Sequence, residues 1–256
     1  MKNGRPSIWI TGASQGLGRA LAVHYANQGY HVYASARNTE ALEELRDQNL
    51  AQGHIIPMPV DITEPDAVSQ VLSAILDQDS LDAVILNAGT FIHQPVERFN
   101  LKEIQQMVDL NLIATARCIE ALLPHMLARE SGQIAIVSSL AGYRGLPNSS
   151  GYGATKAALI NMAESLKLDL EPKGVDIRLI NPGFIETPLT AKNRFPMPDI
   201  ISADAAAKII YEGLQSKRFE IRFPTRFAWT LNLLSMLPYT LYLPLVRRFT
   251  RQSHHD

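Results

Sequence analysis

Short apolar runs in this chain alternate with longer stretches whose apolar residues recur at helical spacing. This alternation constrains the fold more than any other feature. Strand, helix and strand in succession form a crossover unit, and a series of such units gives a parallel sheet covered by helices on both faces. The pattern predicts strands near Ser7–Thr11, His31–Ser35, His54–Pro59, Leu81–Leu86, Gln133–Ser138, Asp176–Ile180 and Phe219–Phe223. Helices are predicted over Leu17–Gln28, Thr39–Ala51, Pro65–Gln78, Leu101–Ala128, Tyr152–Glu171 and Ala203–Gln215. The expected fold is α/β, a doubly wound, mostly parallel seven-stranded sheet in a single domain. Ligands of such sheets bind beyond the carboxyl ends of the strands, so the residues that follow each strand are the ones to inspect.

Bulk properties exclude several classes. A length of 256 residues suits one domain of this kind. A net charge of -1 gives no electrostatic reason to bind nucleic acid. The single cysteine, Cys118, cannot form an internal disulfide, in keeping with a reducing compartment. The apolar segment after Pro6 is too short, and broken too soon by Gly12, to read as a signal peptide. A cytoplasmic enzyme is expected, with residues 1–224 as the catalytic domain and 225–256 as a distinct apolar extension.

The first strand runs into Thr11-Gly12-Ala13-Ser14-Gln15-Gly16-Leu17-Gly18. Small residues permit a tight turn and let a phosphate approach the N–H groups that open the next helix, where the helix dipole favours negative charge. The same letters spell Gly12-Ala13-Ser14-Gln15-Gly16, the G-x-S-x-G pattern of a serine hydrolase elbow. That alternative makes Ser14 a nucleophile. It needs a histidine well downstream and an oxyanion loop from an earlier strand. Only ten residues precede Thr11, and no histidine lies between His125 and the terminal pair His254-His255.

Ser139 falls just past the end of a predicted strand, and Tyr152-Gly153-Ala154-Thr155-Lys156 opens a predicted helix. Residues four apart share a helix face, so the Lys156 ammonium is expected beside the Tyr152 phenol, favouring its ionised form. A phenol titrates near 10 when free, and a cation that lowers this suits it to acid–base work. Ser139 can hydrogen-bond a substrate oxygen and hold it against Tyr152. Taken singly, a Tyr-x-x-x-Lys pair is an ordinary surface pair.

Together, Thr11–Gly18, Asn87-Ala88-Gly89, Ser139, the Tyr152/Lys156 pair and Pro182-Gly183 resemble the short-chain dehydrogenase/reductase family, over about residues 7 to 223. The resemblance implies a Rossmann fold and hydride transfer between a nicotinamide cofactor and a carbonyl or alcohol carbon. It assigns Tyr152 as acid/base, Lys156 as its partner and a ribose contact, and Ser139 as the group that orients substrate. Asn111 takes the fourth catalytic position, supporting a water-linked relay to the lysine. Cofactor contacts are implied for Gly12, Ser14, Gly16, Leu17, Gly18, Asn87, Ala88 and Gly89. Others follow for the adenine pair Asp61 and Ile62, and for Pro182, Gly183, Ile185 and Thr187. No metal site is expected. One departure is Leu86, where the family often has a second asparagine. A cofactor-sensing protein without catalysis is the remaining alternative, and the presence of Tyr152, Lys156 and Ser139 together argues against it.

NAD-binding folds of this kind usually end the second strand with an acid that accepts from the ribose 2′-hydroxyl. Here the strand ends Ser35-Ala36-Arg37-Asn38, with no acid and with a guanidinium suited to a phosphate. NADP(H) is therefore expected in preference to NAD(H), although Gln15 stands where many NADP-dependent relatives carry a second basic residue.

The stretch Glu186–Ile200, which contains Leu189, Phe195, Met197, Lys192 and Arg194, is mixed in character. It leaves a hydrophobic aldehyde or ketone as the expected small-molecule substrate. From Phe227 to Val246 no charge occurs, yet Asn232, Ser235, Pro238 and Pro244 interrupt what would otherwise be a membrane span. Peripheral membrane contact, a pocket cover and a subunit contact all remain open for this segment. The resemblance also implies a homodimer through the helices at Leu101–Ala128 and Tyr152–Glu171.

Overall fold

The computed structural model describes residues 4–48, 50, 53–192 and 197–252. Seven strands, β1 (Ser7–Thr11), β2 (His31–Ser35), β3 (His54–Pro57), β4 (Ala83–Leu86), β5 (Gly132–Val137), β6 (Val175–Pro182) and β9 (Glu220–Phe223), pair in the order β3-β2-β1-β4-β5-β6-β9. Every pairing in this sheet is parallel. Strand order reverses between β1 and β4, and at such a switch point the flanking helices diverge and leave a crevice. The helices are α1 (Gly16–Asn27), α2 (Thr39–Arg46), α3 (Ala67–Gln78), α4 (Leu101–Met107), α5 (Ala114–Arg129), α6 (Ser150–Leu170), α7 (Ala203–Leu214), α8 (Thr225–Ser235) and α9 (Tyr239–Gln252).

Successive strand residues point to opposite faces, so each central strand feeds two cores. Ile8 and Ile10 join Leu21, Leu42, Ile210 and Ile221 on one side, while Trp9 between them joins Val68, Leu122, Leu159 and Ile177 on the other. On β5, Ala135 and Val137 belong to the first core and Ile134 and Ile136 to the second. Near-continuous apolar strands are the consequence of this two-sided burial. Trp9 donates to Ser35 Oγ at 2.9 Å and Ser35 donates to the Met58 carbonyl at 2.8 Å, tying the ends of β1, β2 and β3 together.

Several boundaries differ from the sequence expectation. The third strand ends at Pro57 rather than Pro59, because prolines give no N–H to the ladder. Met58 and Val60 nonetheless still donate to Ala34 and Ala36. The second helix closes at Arg46, with Asp47 at its C-terminal cap, where the dipole disfavours a carboxylate. Part of its expected remainder, residues 49 and 51, lies outside the described residues. The helix expected to begin at Tyr152 starts at Ser150, which puts Tyr152 in its first turn.

The largest correction concerns the long helix expected over Leu101–Ala128. It is interrupted by a π turn at Val108–Ile113, with Asn111 inside it and fully buried. A π turn inserts one residue and swings its side chains off the regular helical stripe, a feature that recurs at functional sites. Composition carries no signal for it. Also missed was a two-residue pair, β7 (Ile185–Glu186) with β8 (Ile201–Ser202), that closes the loop after β6. Phe195, Arg194 and Pro196 of that loop lie outside the described residues, and no description covers the Lys192 side chain.

The apolar segment after β9 folds as two helices, α8 and α9, that turn at Pro238. No helix among the described residues is long and apolar enough to cross a membrane.

Candidate active site

A cleft of about 470 Å³ opens beyond the carboxyl ends of β1, β2, β4, β5 and β6. The segments after these strands line it, joined by Asp61 and Ile62 after β3 and by Tyr152 and Lys156 on α6. Gly12, Ser14, Gly16, Leu17 and Gly18 form one wall, with Arg37, Asp61 and Ile62 at one end. Asn87, Ala88 and Gly89, then Ser139, Tyr152 and Lys156, and finally Pro182, Gly183, Ile185 and Thr187 complete the lining. Asn111 is the one expected site residue that does not reach the cleft. It sits behind the wall at 0% exposure.

The glycine turn is shaped by contacts that only glycine allows. Gly12 and Gly16 have φ of +69° and +54°. A Cβ on Gly18 would lie 2.1 Å from the Gly12 carbonyl oxygen. Asn87 locks the turn from below, its Nδ2 donating to the Thr11 carbonyl at 3.0 Å. Thr11 Oγ1 in turn accepts from the Asn87 and Ala88 N–H groups at 3.0 and 3.1 Å. No side chain caps the N-terminus of α1 and no acid stands in its first turn. Its N–H groups and dipole therefore face the cleft as an anion site, which fits a pyrophosphate. Leu86, the departure from the family pattern, is buried in the second core and takes no part in the cleft.

At the end of the cleft formed by the segments after β2 and β3, Arg37 is 75% exposed and only loosely paired with Asp61, at 3.9 Å. Asp61 Oδ1 accepts from the Thr63 N–H and hydroxyl at 2.9 and 2.7 Å. Burial works against its charge, but these hydrogen bonds, with Arg37 nearby, hold the carboxyl below its usual range. Asp61 does not cap α3, which begins six residues later at Ala67 with Asp66 in the cap position.

Tyr152 is partly buried on the opposite wall, with the edge of Phe91 against its ring at 5.1 Å. Burial pushes its phenol above the ordinary value, and a hydrogen bond with Ser139 acts in the other direction. The sequence led to the expectation that the Lys156 ammonium would pull the phenol down. Instead, desolvation dominates at Tyr152, and Lys156 is itself depressed by burial to about 8. Its Nζ stands 5.6 Å from the Tyr152 ring centre and donates to the Val137 carbonyl at 2.9 Å.

Asn111 is fully engaged by protein groups. Its Oδ1 accepts from the Thr90 N–H at 2.8 Å, and its Nδ2 donates to the Thr90 carbonyl at 3.0 Å and to Thr155 Oγ1 at 3.1 Å. The π turn thus clamps the loop after β4 to the second turn of α6, at Thr155, setting Gly89 and Lys156 side by side.

Three contributors escaped the sequence reading. Thr90 acts through its backbone, and Ser138 fixes α6 by donating to the Lys156 carbonyl at 2.7 Å. A buried hydroxyl at the end of an apolar strand, as at Thr11 and Ser138, is the signal that was available. Arg144 is the third. It donates to the Ser235 carbonyl at 2.7 Å and also to that of Leu237, and it lies 4.5 and 4.2 Å from the ring centres of Tyr239 and Tyr242. Among the described residues no histidine lines the cleft, so none of them offers Ser14 an imidazole base for the hydrolase alternative.

Comparison with known proteins agrees with this geometry. The chain matches the short chain dehydrogenase family over residues 6–197. It is 36% identical over 241 residues to an uncharacterized oxidoreductase of Myxococcus xanthus, covering 93% of this chain and 95% of that one. A short chain dehydrogenase of Burkholderia cenocepacia, solved in complex with NADP, superposes with a TM-score of 0.82 at 26% identity, covering 96% of this chain and 99% of the other. A 3-oxoacyl-[acyl-carrier protein] reductase of Brucella melitensis with bound NAD gives 0.74 at 25% identity, covering 86% and 90%. The chain belongs to the short chain dehydrogenase family and is an oxidoreductase acting on alcohol or carbonyl groups.

Proposed function

We propose that this oxidoreductase uses NADP(H) to reduce a hydrophobic aldehyde or ketone, with Tyr152 as the proton donor. The observation that carries the reading is the convergence of two independent sets of residues on one cleft. The anion-binding turn and Arg37 occupy one end, and Ser139, Tyr152 and Lys156 the other. A nicotinamide cofactor supplies the hydride when bound. Gly12–Gly18 would hold its pyrophosphate, Asp61 and Ile62 its adenine, and Pro182, Gly183, Ile185 and Thr187 its carboxamide end.

Tyr152 delivers a proton to the substrate oxygen as charge develops there, and its raised pKa keeps that proton in place at neutral pH. Ser139 hydrogen-bonds the same oxygen and aligns it. Lys156, charged below about 8, stabilises the phenolate left behind. Asn111 holds the Thr90 loop and α6 in register with one another.

Preference for NADP(H) rests on Arg37, whose exposed guanidinium can turn to a 2′-phosphate, and on the lack of an acid at that strand end. The NADP-bound Burkholderia structure supports it, while the NAD-bound Brucella structure marks the competing choice. Aromatic Phe91, with its ring 5.1 Å from that of Tyr152, supports an apolar substrate.

In this reading residues 1–224 form the catalytic domain and 225–256 an extension. A homodimer is favoured by the apolar residues exposed on and beside α4, α5 and α6, among them Val96, Phe99, Leu101, Ile113 and Leu168. The buried Cys118 thiol suits a cytoplasmic location. The test is a panel of aldehydes and ketones of increasing apolar size, with NADPH or NADH consumption followed by absorbance. Oxidation that grows with substrate size and prefers NADPH supports the proposal. Cofactor binding without turnover on any carbonyl would instead favour a sensor.

A further inference from the structure

We infer that α8 and α9 form a docking face for an anionic lipid bilayer, on which the enzyme rests without crossing it. This goes beyond the reductase reading and does not depend on it.

Charge in the chain is unevenly placed. Residues 225–256 contain four arginines, Arg226, Arg247, Arg248 and Arg251, against one acid, Asp256, while the whole chain carries a net charge of -1; Arg222, just before them, pairs with Glu220 at 3.5 Å. On α8, Trp229, Leu233 and Met236 are spaced four and three apart and so share one face, and they are 52%, 60% and 76% exposed. On α9, Leu241 and Leu245 are four apart and exposed, as are Tyr239 and Leu243. These residues are not the by-product of loose packing, because other side chains anchor both helices. Ala228 is fully buried and Phe227 stacks on Phe184, while Tyr242 is buried and donates to the Gly145 carbonyl at 2.8 Å. The Arg144 clamp then fixes the turn between them.

Helices of 11 and 14 residues reach roughly 16 and 21 Å, short of a hydrocarbon core of about 30 Å. A helix with an apolar face and flanking arginines lies in the headgroup layer instead. Trp229 and Tyr239 are the side chains that favour that layer, and the Arg222 guanidinium sits 4.7 Å over the Trp229 ring. A second copy of the chain is the weaker occupant. A two-fold contact through this face would set one cluster of arginines near its equivalent, with Asp256 as the segment's single acid. The inner side of α8 abuts Phe184 and Gly183, the second of which lines the cleft, so an apolar substrate dissolved in lipid would meet the enzyme beside its site.

The test is flotation of the full chain with vesicles of phosphatidylcholine, alone or mixed with phosphatidylserine. Flotation is expected with the mixed vesicles only, and high salt should weaken it. R226E/R248E and W229S/L233S should each reduce the bound fraction at least about tenfold, with unchanged melting temperature and cofactor binding. Trp229 fluorescence gives a readout on the unaltered protein, since Trp9 is fully buried. A blue shift is expected on adding the mixed vesicles. Failure to float with either lipid, equal binding to both, or a concentration-dependent oligomer that W229S/L233S dissociates would each overturn the inference.

Discussion

Lys156 points its ammonium at the Val137 carbonyl, 2.9 Å away, from a position only 4% exposed. A cation held there pays desolvation, which depresses its pKa from 10.5 to about 8. The folded state therefore binds fewer protons than the unfolded chain between about pH 8 and pH 10.5. The cost is present in full below that window and fades as pH rises through it. In Lys156→Met this pH dependence should be absent. Urea unfolding at pH 7 and pH 10 should show the stability difference between variant and wild type moving in favour of wild type by up to about 3 kcal/mol. A difference that is the same at both values would mean that the lysine is not buried as a cation.

Arg144 is predicted to hold the C-terminal helices to the domain. In Arg144→Met the carbonyls of Ser235 and Leu237 lose their donor, and the Tyr239 and Tyr242 rings lose the guanidinium near them. A loss of about 2–4 kcal/mol is expected from charge-assisted hydrogen bonds and ring contacts together. Limited proteolysis should cut first within residues 225–252 of the variant. Unchanged stability and an unchanged cleavage pattern would show that α8 and α9 are held by apolar packing alone.

Most of the sheet was legible in the sequence because two-sided burial forces apolar runs such as Ile8-Trp9-Ile10 and Ile134-Ala135-Ile136. The turn that lines the cleft was legible for a different reason, since so tight a strand-to-helix turn needs glycine at Gly12, Gly16 and Gly18. What stayed hidden depends on contacts between distant segments. The π turn at Asn111 is stabilised by Thr90 and Thr155, which are far from it in sequence. Helix spacing shows that Lys156 is near Tyr152 but not how much water both groups lose. Arg144 carries no signal of its role in the sequence, because only the fold brings Ser235, Tyr239 and Tyr242 to it.

Arg37→Ala should weaken NADPH binding by roughly 10- to 150-fold, the range for a lost charge-assisted hydrogen bond, and leave NADH nearly unaffected. The loose 3.9 Å pairing with Asp61 means that little internal structure is disturbed. Fluorescence titration with each cofactor checks this. Equal losses for both would remove Arg37 from phosphate recognition and reopen the choice of cofactor.

The account rests most heavily on Tyr152 as the proton donor. Tyr152→Phe keeps the ring against Phe91 and removes the hydroxyl that Ser139 engages. The decisive measurement is the kcat for reduction of an apolar aldehyde by NADPH, compared between wild type and this variant, with NADPH affinity measured alongside. A fall of at least about a hundredfold in kcat with cofactor binding retained is the predicted result. Turnover near the wild-type rate would contradict the mechanism.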